Sequence, residues 1–233
     1  MAPKCRFLLL LTILLAAIAM AAEKPGGSMA KDIHWLGHDT FKIAGNTVIY
    51  TDPFRIAAKD KADLILITHE HFDHCSPEDV QKLLKADTTV VAPSDCAKKL
   101  AGKVKIVRPG DKFTIAGVEI EAVPAYNTNK QFHTKDRGWV GYIFVTGGKR
   151  IYLAGDTDFI PEMKSFKDID IALLPVSGTY VMTADEAVEA ALVIRPKLAI
   201  PMHYGAIVGS EKDADNFAKK LQGKVAVTIL TKE

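Results

Sequence analysis

The sequence His-Glu-His-Phe-Asp-His occupies residues 69–74 and directly follows the apolar stretch Leu-Ile-Leu-Ile-Thr at residues 64–68. A continuous apolar stretch of this length is typical of a strand that is buried on both faces. His69 and His71 lie two residues apart, so their side chains point the same way in extended chain. Asp73 and His74 come after the chain turns, so they can face a second point in the same cleft. Because imidazole and carboxylate groups together suit Zn, Fe or Mn, the stretch predicts a metal site at a strand end.

Two further side chains of the ligand type follow apolar strands later in the chain. Residues 151–154 are predicted as a buried strand, and the sequence Gly-Asp-Thr that contains Asp156 comes next. Residues 198–202 are predicted as another, and His203 follows it. In isolation, Asp156 could cap the next segment and His203 could be a core histidine. Beside the histidine-rich run, metal ligation is the favoured interpretation of both.

Short β-rich runs separated by turn residues make up most of the remaining chain. We expect tight hairpin turns at Gly45-Asn46, Ala116-Gly117 and Gly147-Gly148. The predicted strands are residues 33–36, 41–44, 47–51, 64–68, 89–92, 104–107, 112–115, 118–123, 141–146, 150–154, 171–174, 198–202 and 225–230. The predicted helices are residues 77–86, 94–100, 183–194 and 210–221.

The order of these elements indicates a mixed α/β (α+β) chain. Its first half is rich in hairpins, and its second half alternates strands with helices. No internal linker and no repeat of about 20 to 50 residues stands out. We therefore expect one domain over residues 31–233, with two sheets that helices cover on the outside.

Residues 1–22 have the pattern of a secretory signal peptide. Two basic residues precede an uncharged apolar run at residues 7–22, which is short for a membrane span of about 20 residues. We predict removal of residues 1–22, a flexible spacer over residues 23–30, and export to the periplasm or the medium. No stable membrane insertion is expected after cleavage. The alternative is an uncleaved N-terminal anchor.

Composition indicates a soluble globular protein and gives no support for a nucleic-acid partner. The chain has 233 residues, of which 48% are hydrophobic and 25% charged, the balance of a soluble globular protein. Its formal charge of +2 provides no basic field for a nucleic-acid partner. Cys75 and Cys96 could pair in an oxidising compartment. The favoured interpretation is two small buried residues.

The pattern as a whole resembles a known superfamily. His-x-His-x-Asp-His after a strand, a distant Gly-Asp-Thr and a late strand-ending histidine resemble the metallo-β-lactamase superfamily of binuclear metal hydrolases. Residues 35–38 (Trp-Leu-Gly-His), 50–54 (Tyr-Thr-Asp-Pro-Phe) and 201–204 (Pro-Met-His-Tyr) resemble its compact lactonase-like branch, which includes ascorbate-6-phosphate lactonase. The likeness covers about residues 33–230. It implies a four-layer αββα sandwich with the metal site at one edge, between the sheets.

The resemblance also implies a ligand set for two divalent ions. The residues that match it are His69 and His71 for the first ion, Asp73, His74 and His203 for the second, and Asp156 as the bridge. The family's first ion takes a third, separate histidine as well. Asp52 matches an aspartate that orients a ligand histidine, which fits the need to hold the second ring nitrogen. The alternative for Asp52 is a turn residue.

The third histidine is where this sequence departs from the family. Relatives often carry it directly after an alanine-aromatic step, but here Ala125-Tyr126 is followed by Asn127. His133 lies in the same interval between strands, and we favour it as the ligand. The alternatives are the side-chain oxygen of Asn127 or an incomplete first site. Among the other histidines, His38 is a candidate to line the cleft, and His34 is expected to be structural.

A centre of two divalent ions with these ligands indicates a hydrolase. Two ions bring about four positive charges, and two aspartates and a hydroxide remove about three, so about one remains. The ions supply hydroxide near neutral pH and polarise a carbonyl or phosphoryl oxygen. We expect a metal-bound hydroxide to attack a small, anionic ester, lactone or phosphoester, with Asp73 and His203 as catalytic residues. Lys130, Lys135 and Arg137 are candidates to meet the anion, and the alternative is a solvated loop.

Alternatives stay open for the identity of the metal and for the class of reaction. Two Zn ions are favoured, with Mn or Fe as alternatives. A metal-binding or di-iron redox protein would use the same ligands without hydrolysis. A degenerate protein would hold one ion because the third histidine is displaced. The predicted partner is a small-molecule substrate, whose identity the sequence does not reveal, and the oligomeric state is equally open.

Overall fold

The structure, a computed structural model, describes residues 25–57 and 60–233. The strands within these residues are β1 (Ile33–Gly37), β2 (Thr40–Ile43), β3 (Ile49–Thr51), β4 (Leu64–Leu66), β5 (Thr89–Ala92), β6 (Lys103–Ile106), β7 (Lys112–Ile115), β8 (Val118–Pro124), β9 (Val140–Thr146), β10 (Lys149–Leu153), β11 (Ile171–Pro175), β12 (Leu198–Met202) and β13 (Ala226–Val227). The helices are α1 (Pro25–Ala30), α2 (Pro77–Leu83), α3 (Ser94–Ala97), α4 (Ala184–Ile194) and α5 (Glu211–Leu221), with 3₁₀ turns at Lys135–Arg137 and Pro161–Ser165.

The signal peptide predicted for residues 1–22 lies outside the described residues. In the part of the chain that the structure describes, none of the helices combines the length and the apolarity that a membrane span requires.

The strands form two mixed sheets. The first sheet has the order β1-β2-β3-β4-β5-β6, and the second has the order β13-β12-β11-β10-β9-β8-β7. In each sheet the earlier strands pair antiparallel as hairpins and the later ones pair parallel. Hairpins and parallel strands therefore occur in both halves of the chain, which corrects the expected division into a hairpin half and a β/α half.

The side chains of β4 show how the first sheet is covered on both faces. Leu64 and Leu66 belong to the main core, which the second sheet also lines. Ile65 points to the opposite face, because successive side chains of a strand alternate. It packs in a separate cluster with Val80 and Leu83 of α2. The first sheet thus lies between a helical layer and the second sheet.

Two helices cover the outer face of the second sheet. The buried side chains of α4 are mostly alanines together with Ile194, and α5 buries Phe217 and Leu221. All of these residues belong to the main core. Small residues let α4 approach the sheet closely. The order helix, sheet, sheet, helix confirms the predicted four-layer αββα sandwich.

Two of the three predicted hairpin turns form as expected. Ala116-Gly117 has φ angles of 50° and 77°, and Gly147-Gly148 has 55° and 71°. Positive φ at both central residues is the mark of a type I′ turn, whose twist suits a two-residue hairpin. The turn at Gly45-Asn46 is wider than predicted, since β2 ends at Ile43 and β3 begins at Ile49.

The predicted spacer over residues 23–30 lies partly within the described residues, and there it is helical. Residues 25–30 form α1, where Ala30 is buried and Met29 packs against the main core. This apolar contact gives the segment a fixed place on the domain. At the other end of the chain, the strand predicted over residues 225–230 is shorter than expected. β13 covers only Ala226–Val227, and beyond it Thr228 N donates to Ala199 O at 3.1 Å.

One edge of the sandwich collects the ends of several strands. β3 and β4 run parallel in the first sheet, and β10 and β12 run in one direction in the second. The two sheets meet closely at this edge, where Val140 N donates to Thr68 O at 3.1 Å. Gly155 has a φ angle of 64°, and a Cβ there would lie 3.0 Å from the Thr68 side chain, so a larger residue would be strained at this approach. In open α/β sheets, ligands bind beyond the carboxyl ends of the strands.

Candidate metal centre

Three imidazoles meet at one point of this edge. His69 and His71 follow β4, and His133 comes from the loop between β8 and β9. The Nδ1 of His71 lies 3.1 Å from the Nε2 of His69 and 3.1 Å from the Nε2 of His133. Two Zn–N bonds of ~2.1 Å at a tetrahedral angle separate their nitrogens by about 3.4 Å. The three nitrogens, called the first ligand set, therefore have the spacing of groups that share one ion.

A second group lies beside the first. Asp73, His74 and His203, called the second ligand set, offer ligand atoms within 4.8 Å of one another, and His38 joins them. Asp73 Oδ2 lies 3.7 Å from the Nε2 of His74. His203 reaches the group from the end of β12, in the opposite sheet. The two sheets thus contribute to one group of ligand-type atoms.

Asp156 lies between the two sets. Its Oδ2 is 3.2 Å from the Nε2 of His133 and 3.2 Å from the Nε2 of His203. Its Oδ1 is 3.5 Å from the Nε2 of His74. One carboxylate therefore contacts members of both ligand sets, which is the placement that a bridging ligand needs.

Buried atoms without partners show whether a cation fits. Among the described residues, the Nε2 of His74 and the Oδ1 of Asp156 are buried and have no hydrogen-bond partner. Leaving such atoms unsatisfied costs about 1–3 kcal/mol each. A divalent cation between them would satisfy both, and imidazole with carboxylate is a donor set for Zn, Fe or Mn. The residues fit a metal ion at this place.

Asp52 anchors one ligand of the second set. Its Oδ2 lies 2.9 Å from the Nδ1 of His74 and accepts the Thr68 hydroxyl at 2.6 Å. Its Oδ1 accepts from the Thr68 backbone N–H at 2.8 Å. A carboxylate on the far nitrogen fixes the ring and raises its basicity as a ligand. Asp52 therefore lies where the resemblance predicts an orienting residue.

Neutral groups contact the far nitrogens of three other imidazoles. The Nδ1 of His69 lies 3.0 Å from the Thr68 hydroxyl, and that of His203 lies 2.9 Å from Ser177 Oγ. The Nδ1 of His133 faces the side-chain nitrogen of Asn127 at 3.3 Å. Asn127 thus lies behind His133, so the imidazole and not the amide faces the other two histidines.

The backbone at the site is strained. His38, Asp52, His133 and His203 have φ angles of 53°, 33°, 57° and 60°, in the left-handed region that non-glycine residues rarely adopt. Half of the non-glycine residues with positive φ in the described chain therefore belong to the site. Such strain persists where the surrounding structure fixes it, and it clusters at functional sites.

Burial and neighbouring charges shift the pKa values of the site residues in different directions. Burial lowers the pKa of His69 well below its usual value, which keeps the ring neutral. Burial alone would also lower the pKa of His74, but the charge of Asp156 and the hydrogen bond to Asp52 raise it well above that value. Burial would raise the pKa of Asp156, but the charges of His203 and His74 hold it well below the usual range. The negative charge of Asp156 thus favours the charged form of His74, whereas burial keeps His69 neutral.

Two residues lie in the cluster although the predicted ligand set omits them. The Nε2 of His38 is 3.0 Å from Asp73 Oδ2, so this histidine reaches the cleft. Asp39 is fully buried, and neither of its oxygens has a hydrogen-bond partner. Burial raises the pKa of Asp39 to about 7. The sequence signal for both was their place directly after β1, since the other site residues also follow strands.

The three cations predicted to meet an anionic substrate each lie beside a carboxylate. The ion pairs are Lys130–Asp158, Lys135–Glu162 at 3.0 Å and Arg137–Glu70 at 2.5 Å. The charge of this loop is thus largely balanced within the protein.

The remaining candidates do not belong to the ligand sets. Cys75 and Cys96 are buried free thiols, as favoured from the sequence. The Nδ1 of His34 lies 2.8 Å from a carboxylate oxygen of Glu233, a contact between β1 and the end of the chain.

Known proteins share both the fold and much of the sequence. The family model of the beta-lactamase superfamily domain matches residues 32–203. The UPF0173 metal-dependent hydrolase Ta0764 of Thermoplasma acidophilum is 33% identical over 216 residues, which cover 86% of this chain and 95% of the relative. A crystal structure from Parabacteroides distasonis, described as a metal-dependent hydrolase, is 40% identical with a TM-score of 0.77 and covers 85% of this chain and 93% of its own.

A more distant structure shares the fold. A Thermotoga maritima protein, described as a Zn-dependent hydrolase of the metallo-beta-lactamase superfamily, is 24% identical with a TM-score of 0.60. It covers 85% of this chain and 97% of its own.

The fold and the site together define a class, the metal-dependent hydrolases with the metallo-β-lactamase fold. The chain belongs to the beta-lactamase superfamily, and within it to the UPF0173 family of metal-dependent hydrolases.

Proposed function

We propose that the protein is a binuclear metal-dependent hydrolase of a small ester, lactone or phosphoester. The observation that carries this proposal is the position of Asp156 Oδ2, 3.2 Å from a nitrogen of each ligand set. A carboxylate shared in this way supports two ions side by side, with the first held by His133 and the second by His203. Two-metal sites of this kind are typical of hydrolases.

The ions supply one part of the chemistry, and the protein supplies the rest. Bound divalent ions lower the pKa of water and polarise a carbonyl or phosphoryl oxygen. Asp73 lies at the cleft with a side chain that is 13% exposed, so its carboxylate can both ligate and accept a proton. His38 binds Asp73 Oδ2 at 3.0 Å and fixes its orientation. His203, held by Ser177, faces the same space as Asp156.

Zinc is the metal that we propose. Most of the candidate ligands here are imidazoles, and both Zn and Fe accept imidazole with carboxylate. Zn is not redox-active, which suits hydrolysis. Iron at the same residues would instead support a redox protein, so the metal is part of the test.

The test is metal analysis of the purified chain together with hydrolysis. After loading with Zn, Mn or Fe, we expect two ions per chain and turnover of 4-nitrophenyl esters, lactones or 4-nitrophenyl phosphate. A chelator should remove the activity, and added metal should restore it. One ion per chain would support a degenerate single-metal protein. Two Fe ions with visible absorption and no hydrolysis would support the redox alternative.

We also propose that the protein is exported. The predicted cleavage site precedes α1, so removal of residues 1–22 would leave the packing of Met29 and Ala30 intact. The mass of the chain recovered from the periplasm or the medium should correspond to residues 23–233. A full-length chain in the membrane fraction would instead show an uncleaved anchor.

A further inference from the structure

The mouth of the metal centre is lined by apolar side chains. A cavity of about 270 Å³ opens onto the two ligand sets. Besides Asp156 and members of the two sets, four residues line it, namely Phe72, Phe132, Tyr180 and Ile207. The volume lies just below the range of about 300–1,000 Å³ that is usual for ligand sites in proteins. These four residues are called the apolar wall.

The apolar wall is exposed to an unusual degree. Phe72 is 67% exposed, Phe132 49% and Ile207 39%. They are three of the six large hydrophobic residues that are exposed in the described chain, and all three line this one cavity. Single exposed hydrophobic residues are ordinary, but a contiguous group marks a place where something apolar binds.

Contacts within the apolar wall and behind it hold its aromatic residues in place. Phe72 meets the ring of Phe54 edge to face at 5.7 Å, and Phe132 meets Tyr180 at 5.0 Å. The side-chain nitrogen of Asn127 donates to the carbonyls of Phe132 at 3.0 Å and Tyr180 at 2.6 Å. Asn127 therefore joins the two loops that carry the aromatic rings. The wall is built before a ligand arrives, which lowers the cost of binding.

The same cavity offers little to an anionic group. Lys130, Lys135 and Arg137 do not line it, and each pairs with a carboxylate. The positive charge expected at the metal centre is also smaller than the ligands suggest, because Asp52 adds a buried carboxylate to the count. A charged substituent would leave water for apolar surface without a partner, which is costly.

We infer that the substrate is an uncharged ester or lactone whose alkyl or aryl group packs against the apolar wall. The inference rests on the proposed function, since the wall surrounds the opening to the ligand sets. The reacting carbonyl lies at the metal centre, and Phe72, Phe132 and Ile207 contact the apolar part. Each methylene that the wall covers should improve binding about fourfold, the equivalent of ~0.8 kcal/mol.

Alkyl hydroxamates test this inference without turnover. Their head group binds the metal, and their chain extends into the cavity. Calorimetry on the metal-loaded protein should show affinity that rises about fourfold per methylene from acetohydroxamate to hexanohydroxamate and then levels off. Hydroxamates of a dicarboxylic acid, with a charged end, should bind more weakly than the alkyl compound of equal length.

Variants test whether the apolar wall causes the rise of affinity with alkyl chain length. Phe72→Ala and Phe132→Ala should each weaken binding of hexanohydroxamate about tenfold, with a smaller loss for the acetyl compound. Phe72→Leu and Phe132→Leu should recover most of the loss. Ile106→Ala and Leu192→Ala remove exposed hydrophobic side chains that do not line the cavity, so they serve as matched controls and should have no effect.

The outcomes separate this inference from the proposed function. Equal affinity along the alkyl series, tighter binding of the charged compounds, or no response to the wall variants would overturn the apolar substrate. If affinity rises as expected but no ester or lactone is hydrolysed, the wall stands and the hydrolase proposal fails. If no hydroxamate binds, the inference fails together with the metal centre.

Discussion

The two ligand sets differ in what holds them. In the second set, the far nitrogen of His74 contacts the carboxylate of Asp52 at 2.9 Å, and Asp52 is itself fixed by Thr68. In the first set, the far nitrogen of His133 faces the neutral amide of Asn127 at 3.3 Å. The second set thus has a charged, buried support, and the first depends on a loop.

This difference predicts an order of metal affinity. A carboxylate behind a ligand imidazole raises its basicity and fixes its ring, whereas an amide does so less. The second set also contains a carboxylate ligand of its own, Asp73, and the first contains three imidazoles only. We therefore expect the second set to hold its ion more firmly, and the first set to empty first when metal is removed.

The largest effect is expected where the two sets are joined. Asp156→Asn removes the negative charge that both sets share, so metal content should fall at both sets and hydrolysis should be abolished. Metal analysis and turnover on the loaded variant measure both quantities. Two firmly bound ions with near-normal turnover would show that Asp156 does not bridge.

The next largest effect is expected when one ligand of a single set is removed. His71→Ala should empty the first set and Asp73→Ala the second, and each should abolish hydrolysis because a two-metal site needs both ions. Neither residue belongs to a hydrophobic core cluster, so thermal unfolding of the metal-free chain should be nearly unchanged. Wild-type turnover with an unchanged metal count in either variant would contradict the assignment.

A smaller effect is expected when the residues that contact the far nitrogens of the ligand histidines are changed. Asp52→Asn keeps the size of the side chain but removes its charge, and it should weaken metal binding at the second set about 10- to 100-fold. Ser177→Ala removes the neutral support of His203 and should cost less. Competition with a chelating dye measures both affinities. Equal losses in the two variants would mean that the charge of Asp52 has no special role.

The smallest effect is expected at the loop amide. Asn127→Ala should keep two ions per chain and lower activity by no more than about tenfold, since a neutral hydrogen bond contributes about 1 kcal/mol. The reason is that Asn127 supports His133 and the neighbouring loop and does not replace the imidazole. Loss of one ion in this variant would favour the amide oxygen as the ligand.

Much of this site could be predicted because its signals are local. His69 and His71 follow an apolar strand at a spacing of two, and Asp156 and His203 each follow a strand of their own. Apolar runs and turn residues indicate such strands with short-range information alone. The edge where they meet then follows from the sheet order that the resemblance implies.

The rest depends on contacts between distant residues. His38 reaches Asp73 across 35 positions of the chain, and Lys130 finds Asp158 across 28. No local pattern shows which carboxylate will lie beside a given lysine, so the ion pairs of Lys130, Lys135 and Arg137 could not be predicted from the sequence. Likewise, the helix over residues 25–30 forms where Met29 meets a core that the rest of the chain builds.

The central claim is that two ions are bound side by side, with His133 completing the first set. Metal content of His133→Ala beside the wild type, after loading with Zn and removal of loosely bound ions, tests it most directly. We predict about two ions per chain in the wild type and about one in the variant, because Asp73, His74, His203 and Asp156 would still hold the second ion. Equal metal content in the two proteins would contradict the claim.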